Sequence, residues 1–373
     1  MKTEWVHKKL GDDDVAKIIM GQSPSSASYN DENIGLPFLQ GCADFGEVFP
    51  KTSVYCNEPL KVAPQNSILM SVRAPVGTIN KADQKYIIGR GLCSIVSLIN
   101  NDYLYYYLLQ NKNRLEQKAQ GSTFLAINSE EVNDFDVSYP ESLSTQRRIA
   151  AILTSADKVI AATQKTIAKY KQIKQGMMED LLNEQCTMNN VQWRKVKLGE
   201  VGDFYVGGDV DRSCFSPYPT VECRFPIYAN ALVNEGLYGF SSKYEFDKEA
   251  ITITGRGDVG KVFYRKPYFS TIIRLVTLIP TDSNIDVKFL SYAMSRINFI
   301  IESTGVPQLT APQAKKYEVS IPYKNGKPDL PAQRRIAAIL SGIDAKIAAE
   351  EKVLEKYEKV KKGLMERLLN DNK

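Results

Sequence analysis

The stretch of this chain closest to a reactive motif is GRGDVG at 255–260, which fits G-x-G-x-x-G and, with Lys261, nearly fits a phosphate-binding loop. Such loops need a strand before the glycines and a helix after them, because the phosphate rests on the helix N-terminus. EAITIT at 249–254 reads as that strand. KVFYRK after the glycines alternates apolar and basic residues, so it reads as a second strand. Val262 stands where a phosphate loop needs Ser or Thr. The segment therefore predicts a hairpin turn and not a nucleotide site.

Other reactive constellations fail in the same way. SPYP at 216–219 lacks the acidic or amide residue and the adjacent prolines of the D/N-P-P-Y/F pattern of adenine methylation, and no glycine-rich loop for S-adenosylmethionine precedes it. The one histidine, His7, cannot supply a metal cluster, and general base work would need an unusual group. The six cysteines, Cys42, Cys56, Cys93, Cys186, Cys214 and Cys223, show no C-x-x-C spacing, which predicts buried reduced thiols in a cytoplasmic protein. No catalytic group, metal or cofactor is expected. Neither a signal-peptide run at 1–10 nor an apolar stretch long enough to cross a membrane is present.

The elements that would position any functional residue come from an internal repeat. QRRIAAIL occurs at 146–153 and again at 333–340, and GMMEDLLN at 176–183 matches GLMERLLN at 363–370, both at an offset of 187 residues. Upstream the repeat is fainter. Trp5 with Leu10-Gly11 matches Trp193 with Leu198-Gly199, SVRAPVGTI at 71–79 matches TGRGDVGKV at 254–262, and Pro140 matches Pro322. GSTFLAIN at 121–128 aligns with TGVPQLT at 304–310. Each half is thus a diverged globular part followed by a nearly invariant segment.

The invariant segments follow a heptad. One seam runs Leu153, Ala156, Ile160, Thr163, Ile167, Tyr170, Lys174, Met177, Leu181, and the other Leu340, Ile343, Ile347, Glu350, Leu354, Tyr357, Lys361, Leu364, Leu368. Mostly apolar a and d positions predict two long helices that pair, and polar residues at shared places restrict register. About 38 residues at ~1.5 Å rise each give a rod on the order of 55–60 Å long. The expected fold is α+β: two similar globular domains separated by two long antiparallel coiled-coil helices, with pseudo-twofold symmetry. The expected boundaries are 1–143, 144–188, 189–330 and 331–373. DYLYYYLLQNKNRLEQKA at 102–119 and KFLSYAMSRINFIIES at 288–303 read as the corresponding helix of each globular domain.

The composition is that of a folding chain, with 43% apolar and 24% charged residues over 373, and the net charge of +5 is too mild to name a partner by itself. Near-identical helices imply the same task done twice, and diverged globular parts imply two different things read. A duplex suits that arrangement, since half-sites recur at about one helical turn, ~34 Å.

On these residues the chain resembles the specificity subunits of type I restriction–modification systems. The resemblance spans the whole chain: Trp5 with Leu10-Gly11, GQSPSS at 21–26, NSILMSVRAPVG at 66–77, GSTFLAIN at 121–128 and the doubled QRRIAAIL. It implies that each globular part is a target recognition domain for one half of a bipartite double-stranded DNA site. It also implies that the helices set the spacing and dock two methyltransferase subunits, with restriction or translocase subunits joining the larger complex.

Arg and Lys suit phosphate and guanine, and Asn, Gln, Ser and Thr suit base edges. The candidate DNA contacts in turn-rich stretches of the first domain are Gln22, Ser23, Ser25, Tyr29, Arg73, Lys81, Lys85, Arg90, Ser122 and Thr123. In the second they are Asp209, Arg212, Lys243, Arg256, Lys261, Arg265, Lys266 and Gln308. Candidates for partner contact or helix pairing are Gln146, Arg147, Arg148, Leu153, Ile160, Ile167 and Tyr170, with Gln333, Arg334, Arg335, Leu340, Ile347, Leu354 and Tyr357. Paired arginines in a first helical turn oppose the helix dipole, which favours an acidic partner or a phosphate. The competing reading is a coiled-coil scaffold whose two heads bind proteins, and it predicts no preference among DNA sequences.

Overall fold

The computed structural model describes residues 4–119, 126–183, 191–300 and 308–371. They form two compact units, Met1–Lys165 with Lys352–Lys373, and Thr166–Glu351. Each unit contains one globular domain, the opening part of the long helix that follows it, and the closing part of the other long helix. Those helices, Leu143–Leu181 and Leu330–Leu368, are 39 residues each. At the start of the second, the Asp329 carboxylate accepts from the Ala332 N–H at 3.1 Å, and Pro331 sits where a backbone donor is not needed.

The globular domain of the first unit is built on an antiparallel sheet ordered Ala16–Met20, Leu92–Ser97, Ile68–Ser71, Ile79–Lys81. That of the second repeats the order with Gly202–Val206, Val276–Pro280, Ala250–Ile253, Val262–Arg265. A second sheet, of five strands in the first unit and four in the second, accompanies each and contains one parallel pairing, Phe38 with Ile87 in the first unit and Ile227 with Ser270 in the second. The faint sequence matches acquire a meaning here. Trp5 lies opposite Pro140, and Trp193 opposite Pro322, in the strand pair that closes each domain against its helix.

The domain helices are shorter than the sequence pattern suggested. In the first unit Asn101–Gln110 is separated from Lys112–Ala119 at Asn111. In the second, Val287–Met294 ends well before 303, and Arg296 turns away to donate to the Leu182 carbonyl at 2.6 Å. Both begin on a side-chain cap, Asn100 accepting from Tyr103 N–H at 2.9 Å and Asp286 from Phe289 N–H at 2.8 Å. Their inner faces bury Tyr103, Leu104 and Leu108 in one core, and Phe289, Leu290 and Met294 in the other.

The heptad seams are the inner faces of the long helices. In the first unit Leu153 is fully buried with Ile149 and Leu369, and Leu364 and Leu368 pack beside them. In the second, Leu340 is buried with Ile336 and Leu181. Ile167 and Ile347 are also buried, and Ile160, Tyr170 and Leu354 are half-buried. Tyr357 is 38% exposed and so covers the seam only in part. Lys174 and Lys361, polar at equivalent seam positions, are each used. Asp157 accepts from the Tyr106 hydroxyl at 2.6 Å and pairs with Lys361 at 2.5 Å. Asp344 accepts from the Tyr292 hydroxyl at 2.6 Å and pairs with Lys174 at 2.6 Å. In the second unit Lys171 also meets Glu351 at 2.9 Å, so rising numbers on one helix meet falling numbers on the other: the segments are antiparallel. Burial, reinforced by the neighbouring carboxylate, raises both phenols well above their ordinary range, so they remain donors.

Gln146 and Gln333 are not partner contacts. They are 2% and 0% exposed, and their amides are spent inside their own units. Gln146 accepts from Asn100 N–H at 2.9 Å and donates to the Pro140 carbonyl at 2.7 Å. Gln333 accepts from Asp286 N–H at 2.9 Å and donates to the Asn284 carbonyl at 3.0 Å. Each one joins a long helix to the cap of a domain helix. Arg147, Arg148, Arg334 and Arg335 beside them are exposed.

Replacing Gln146 or Gln333 by Leu leaves a buried N–H without its acceptor and is expected to cost about 1–3 kcal/mol. Arg148→Ala and Arg335→Ala, at exposed positions, should stay within about 0.5 kcal/mol. Urea unfolding of the four variants checks the contrast, and equal effects at all four positions would contradict it.

Candidate nucleic-acid interface

GRGDVG forms the expected hairpin, between Ala250–Ile253 and Val262–Arg265. Its base is tied by one hydroxyl. Thr254 Oγ1 donates to the Asp258 carbonyl and accepts from Lys261 N–H at 2.9 Å, while the Thr254 carbonyl takes Gly260 N–H at 2.8 Å. Ser71 does the same in the first unit: its Oγ donates to the Pro75 carbonyl at 2.6 Å and accepts from Thr78 N–H at 2.8 Å, and its carbonyl takes Gly77 N–H at 2.9 Å. Gly77 and Gly260 both lie in the left-handed region, at φ +76° and +82°. A Cβ there would come within 3.1 Å of Leu115 or 3.0 Å of Phe299, so the position needs glycine on two counts.

The neighbouring loops are joined by matching backbone bonds in the two units. Ile127 N–H donates to Val72 at 2.9 Å, and Leu309 N–H to Gly255 at 2.9 Å. Gly21 donates to Leu92 and Gly207 to Leu275, each at 2.9 Å. Gly89 donates to Leu39 at 2.8 Å and Ile272 to Tyr228 at 2.9 Å. A tight turn follows in each: Leu92 N–H returns to Gly89 at 3.0 Å, and Leu275 N–H to Ile272 at 3.2 Å. One frame thus carries five adjoining loops in either domain, and position 73 of the first falls on 256 of the second.

In the second domain this frame holds Arg256, Gln308, Asn230 and Arg274 together. Arg256 donates through Nε and Nη2 to Gln308 Oε1 at 3.2 and 3.0 Å, which sets the plane of its guanidinium. Asn230 accepts from Gly255 N–H at 2.7 Å and donates to the Ile273 carbonyl, bridging two of the loops. Ile273 and Arg274 are the central residues of the tight turn, at φ +54° and +57°. Such a turn prefers Asn-Gly, and a non-glycine residue held there costs of order 1–3 kcal/mol. The turn is fastened from outside by Ile273 N–H to Gly208 at 2.8 Å and Arg274 N–H to Gly207 at 2.9 Å, and both side chains are exposed.

In the first domain the same loops carry Gln22, Ser23, Arg73 and Arg90. Arg90 N–H donates to Ser23 Oγ at 3.2 Å, and Gln22 N–H to the Ile88 carbonyl at 2.9 Å. Gln22, Arg73 and Arg90 are exposed. The arrangement is a set of exposed guanidinium and amide groups on hydrogen-bonded loops, which can donate to phosphate oxygens and to base edges.

Other candidates lie elsewhere. Arg265 is corrected outright: it is 2% exposed, donates to Thr252 Oγ1 at 2.9 Å and to the Glu235 carbonyl at 2.6 Å, and lies 3.7 Å from the centre of the Tyr228 ring. It braces the left-handed turn Asn234-Glu235-Gly236 from beneath. Lys81 is occupied by Asp102 at 2.7 Å and by the Tyr105 ring. Tyr29 stacks on Phe38 at 4.7 Å and donates to the Pro24 carbonyl at 3.1 Å, and Ser25 caps a short helical turn through Ala27 N–H at 3.4 Å. Lys85, Asp209, Arg212, Lys243, Lys261 and Lys266 are exposed. Ser122 and Thr123 lie outside the described residues. Arg274 and Asn230 were missed. Only the absence of glycine from a turn between two strand-like runs, STII and LVTLIP, signalled Arg274.

Among the described residues no group of His, Cys, Asp or Glu could hold a metal ion, and no helix is long and apolar enough to cross a membrane. Cys56 and Cys93 are buried, whereas Cys42, Cys214 and Cys223 are half-buried, so burial is less complete than the sequence suggested. Burial pushes the Cys93 thiol up to about 12.

The family model of the type I restriction modification DNA specificity domain matches residues 2–172 and again 190–359. A Methanocaldococcus jannaschii protein assigned as a type I restriction enzyme specificity subunit is 41% identical over 182 residues, 48% of this chain and 43% of that one. A Mycoplasma pneumoniae protein assigned as a type I specificity subunit is 28% identical over 46% of this chain and 53% of its own length. The chain therefore spans about half the length of these first relatives. A crystal structure of a type I restriction–modification S subunit from M. genitalium superposes over 100% of this chain and 98% of its own, with TM-score 0.71 at 18% identity, which is a likeness of fold.

Replacing Ile273-Arg274 by Asn-Gly gives the tight turn its preferred residues and should raise stability by roughly 1 kcal/mol. Arg265→Met should lower it by about 2 kcal/mol, since Thr252 and the Glu235 carbonyl lose a buried donor. Thermal unfolding reads both, and the opposite sign in either variant would contradict the account of that turn.

Proposed function

The chain belongs to the type I restriction–modification DNA specificity family, and from that premise we propose that each of its globular domains reads one half of a bipartite double-stranded DNA site. The observation that carries this reading is the pair of matched loop frames. Two domains share their backbone hydrogen bonds down to the Ser71 and Thr254 hydroxyls, yet present different side chains on them. Shared backbone with unlike side chains is what two readers of unlike sequences require. The chain supplies recognition only, and the chemistry belongs to its partners.

The long helices set the spacing of the half-sites and dock two methyltransferase subunits, with restriction or translocase subunits joining the full complex. What supports docking is an exposed face that is the same in both copies. Arg147, Arg148, Ala151 and Ile152 are exposed on one helix, and Arg334, Arg335, Ala338 and Ile339 on the other. Exposed residues are under little constraint from packing, so their identity points to one partner bound twice. Ile152 and Ile339 are 39% and 37% exposed, apolar surface that a partner would cover.

Exchange of residues 191–330 for the segment of another family member is expected to change one half of the methylated site and leave the other intact. Mapping methylated adenines in cells that co-express the chain with its methyltransferase reads this out. An unchanged site, or binding indifferent to DNA sequence, favours the scaffold. Arg148→Glu with Ile152→Ser is expected to reduce bound methyltransferase from two copies to one, as measured by light scattering of the assembled complex. Two copies retained would remove this face from the docking proposal.

A further inference from the structure

The matched frames allow residues of the two domains to be compared position by position, and the comparison separates what is common from what differs. The bonds from Ile127 to Val72 and from Leu309 to Gly255 place Arg73 at the position of Arg256. The same bonds place Ala126 at the position of Gln308. The turns closed by Leu92 and Leu275 place Arg90 at Ile273 and Gly91 at Arg274. The bonds from Gly89 to Leu39 and from Ile272 to Tyr228 place Gln40 and Gly41 at Ala229 and Asn230. One arginine is therefore shared, and the residues at these five other positions differ in chemical type.

Resting on the reading of each domain as a half-site reader, we infer a division of labour within this cluster. Arg73 and Arg256 make the contact that any half-site offers, a phosphate oxygen, and the tight turn beside them reads base edges, through Arg90 in the first domain and Arg274 in the second. A contact to phosphate fixes register and carries no sequence information, so it can be the same in two readers of different sequences. A base contact must differ between them. The turn has the features of a reader. Arg90 in the first domain is exposed beside a buried Gly91, and both Ile273 and Arg274 are exposed in the second. The turn advances an arginine from one central position in one domain and from the next in the other, and in the second domain it keeps Ile273-Arg274 where Asn-Gly would be more stable. Gln308 is a positioning residue: it holds the Arg256 guanidinium through two bonds, and its counterpart Ala126 cannot.

The experiment is selection of the full chain, assembled with methyltransferase, from a duplex library randomised across both half-sites. Wild-type chain should select a bipartite motif. Arg274→Gly, which suits a positive φ and so does not depend on tolerance of a strained substitution, should reduce preference for one base pair in one half-site by roughly 10-fold or more and leave the other half unchanged. Arg90→Ala should do the same in the opposite half. Arg256→Ala and Arg73→Ala should instead weaken binding to all sequences alike and lower the slope of log affinity against log salt by about 1. A folded Arg274→Gly chain that selects the wild-type motif unaltered overturns the inference while the half-site reading stands. Relaxed base preference in Arg256→Ala overturns the division of labour. If wild-type chain selects no motif at all, the half-site reading itself falls, and the inference with it.

Discussion

The structure of each unit depends on one buried amide. Gln146 and Gln333 lie within the first turns of the long helices, where a polar side chain without partners would be expensive to bury. Each spends its oxygen on the capping residue of a domain helix and its nitrogen on a backbone carbonyl, that of the strand residue Pro140 or of the loop residue Asn284. A helix packed on a sheet only through apolar contact can rotate or slide at small cost. Hydrogen bonds made at both ends of a planar group remove that freedom, because a shift of an ångström breaks them. The domain is thereby held to its helix in one orientation, and the loops at its far end inherit that orientation through the sheet.

A second constraint then acts on the helices. Apolar seams of Leu and Ile bring segments together but tolerate more than one register. The Tyr106–Asp157–Lys361 and Tyr292–Asp344–Lys174 networks do not, since each joins a domain helix and two long-helix segments through one carboxylate. A slip along the seam would leave a half-buried charge without its counter-charge and a buried phenol without its acceptor. Recognition surfaces built on such supports can change their side chains without disturbing the frame, and the loops show that history.

Much of this was legible in the sequence because it is periodic or repeated. The heptads located the long helices to within a few residues, and the doubled QRRIAAIL gave the correspondence of the halves. GRGDVG was recognised as a hairpin because the residues after it alternate. What escaped was whatever depends on tertiary partners. Arg265 reads like any basic residue on a strand, and only the fold shows that Thr252, Tyr228 and the Glu235 carbonyl surround it. Gln146 and Gln333 looked like docking residues because they sit beside exposed arginines, yet helical geometry turns them inward. Arg274 was nearly illegible for the converse reason: local preference argues against an arginine in such a turn, and the turn's fastening to Gly207 and Gly208 holds it there.

Leu369, fully buried in the core of the first unit, carries a consequence for how the chain is made. The strands around that core emerge from the ribosome more than two hundred residues before the side chain that completes it. The first domain must therefore wait, its apolar helix faces unsealed, through the synthesis of the whole second domain. Contacts so distant in sequence close slowly, because the loop entropy is lost before the contact repays it. The second unit has no such delay, since its share of the first long helix is already present when its own domain appears. A chaperone, or an early encounter with another protein that covers the waiting surface, would matter far more to the first half of this molecule than to the second.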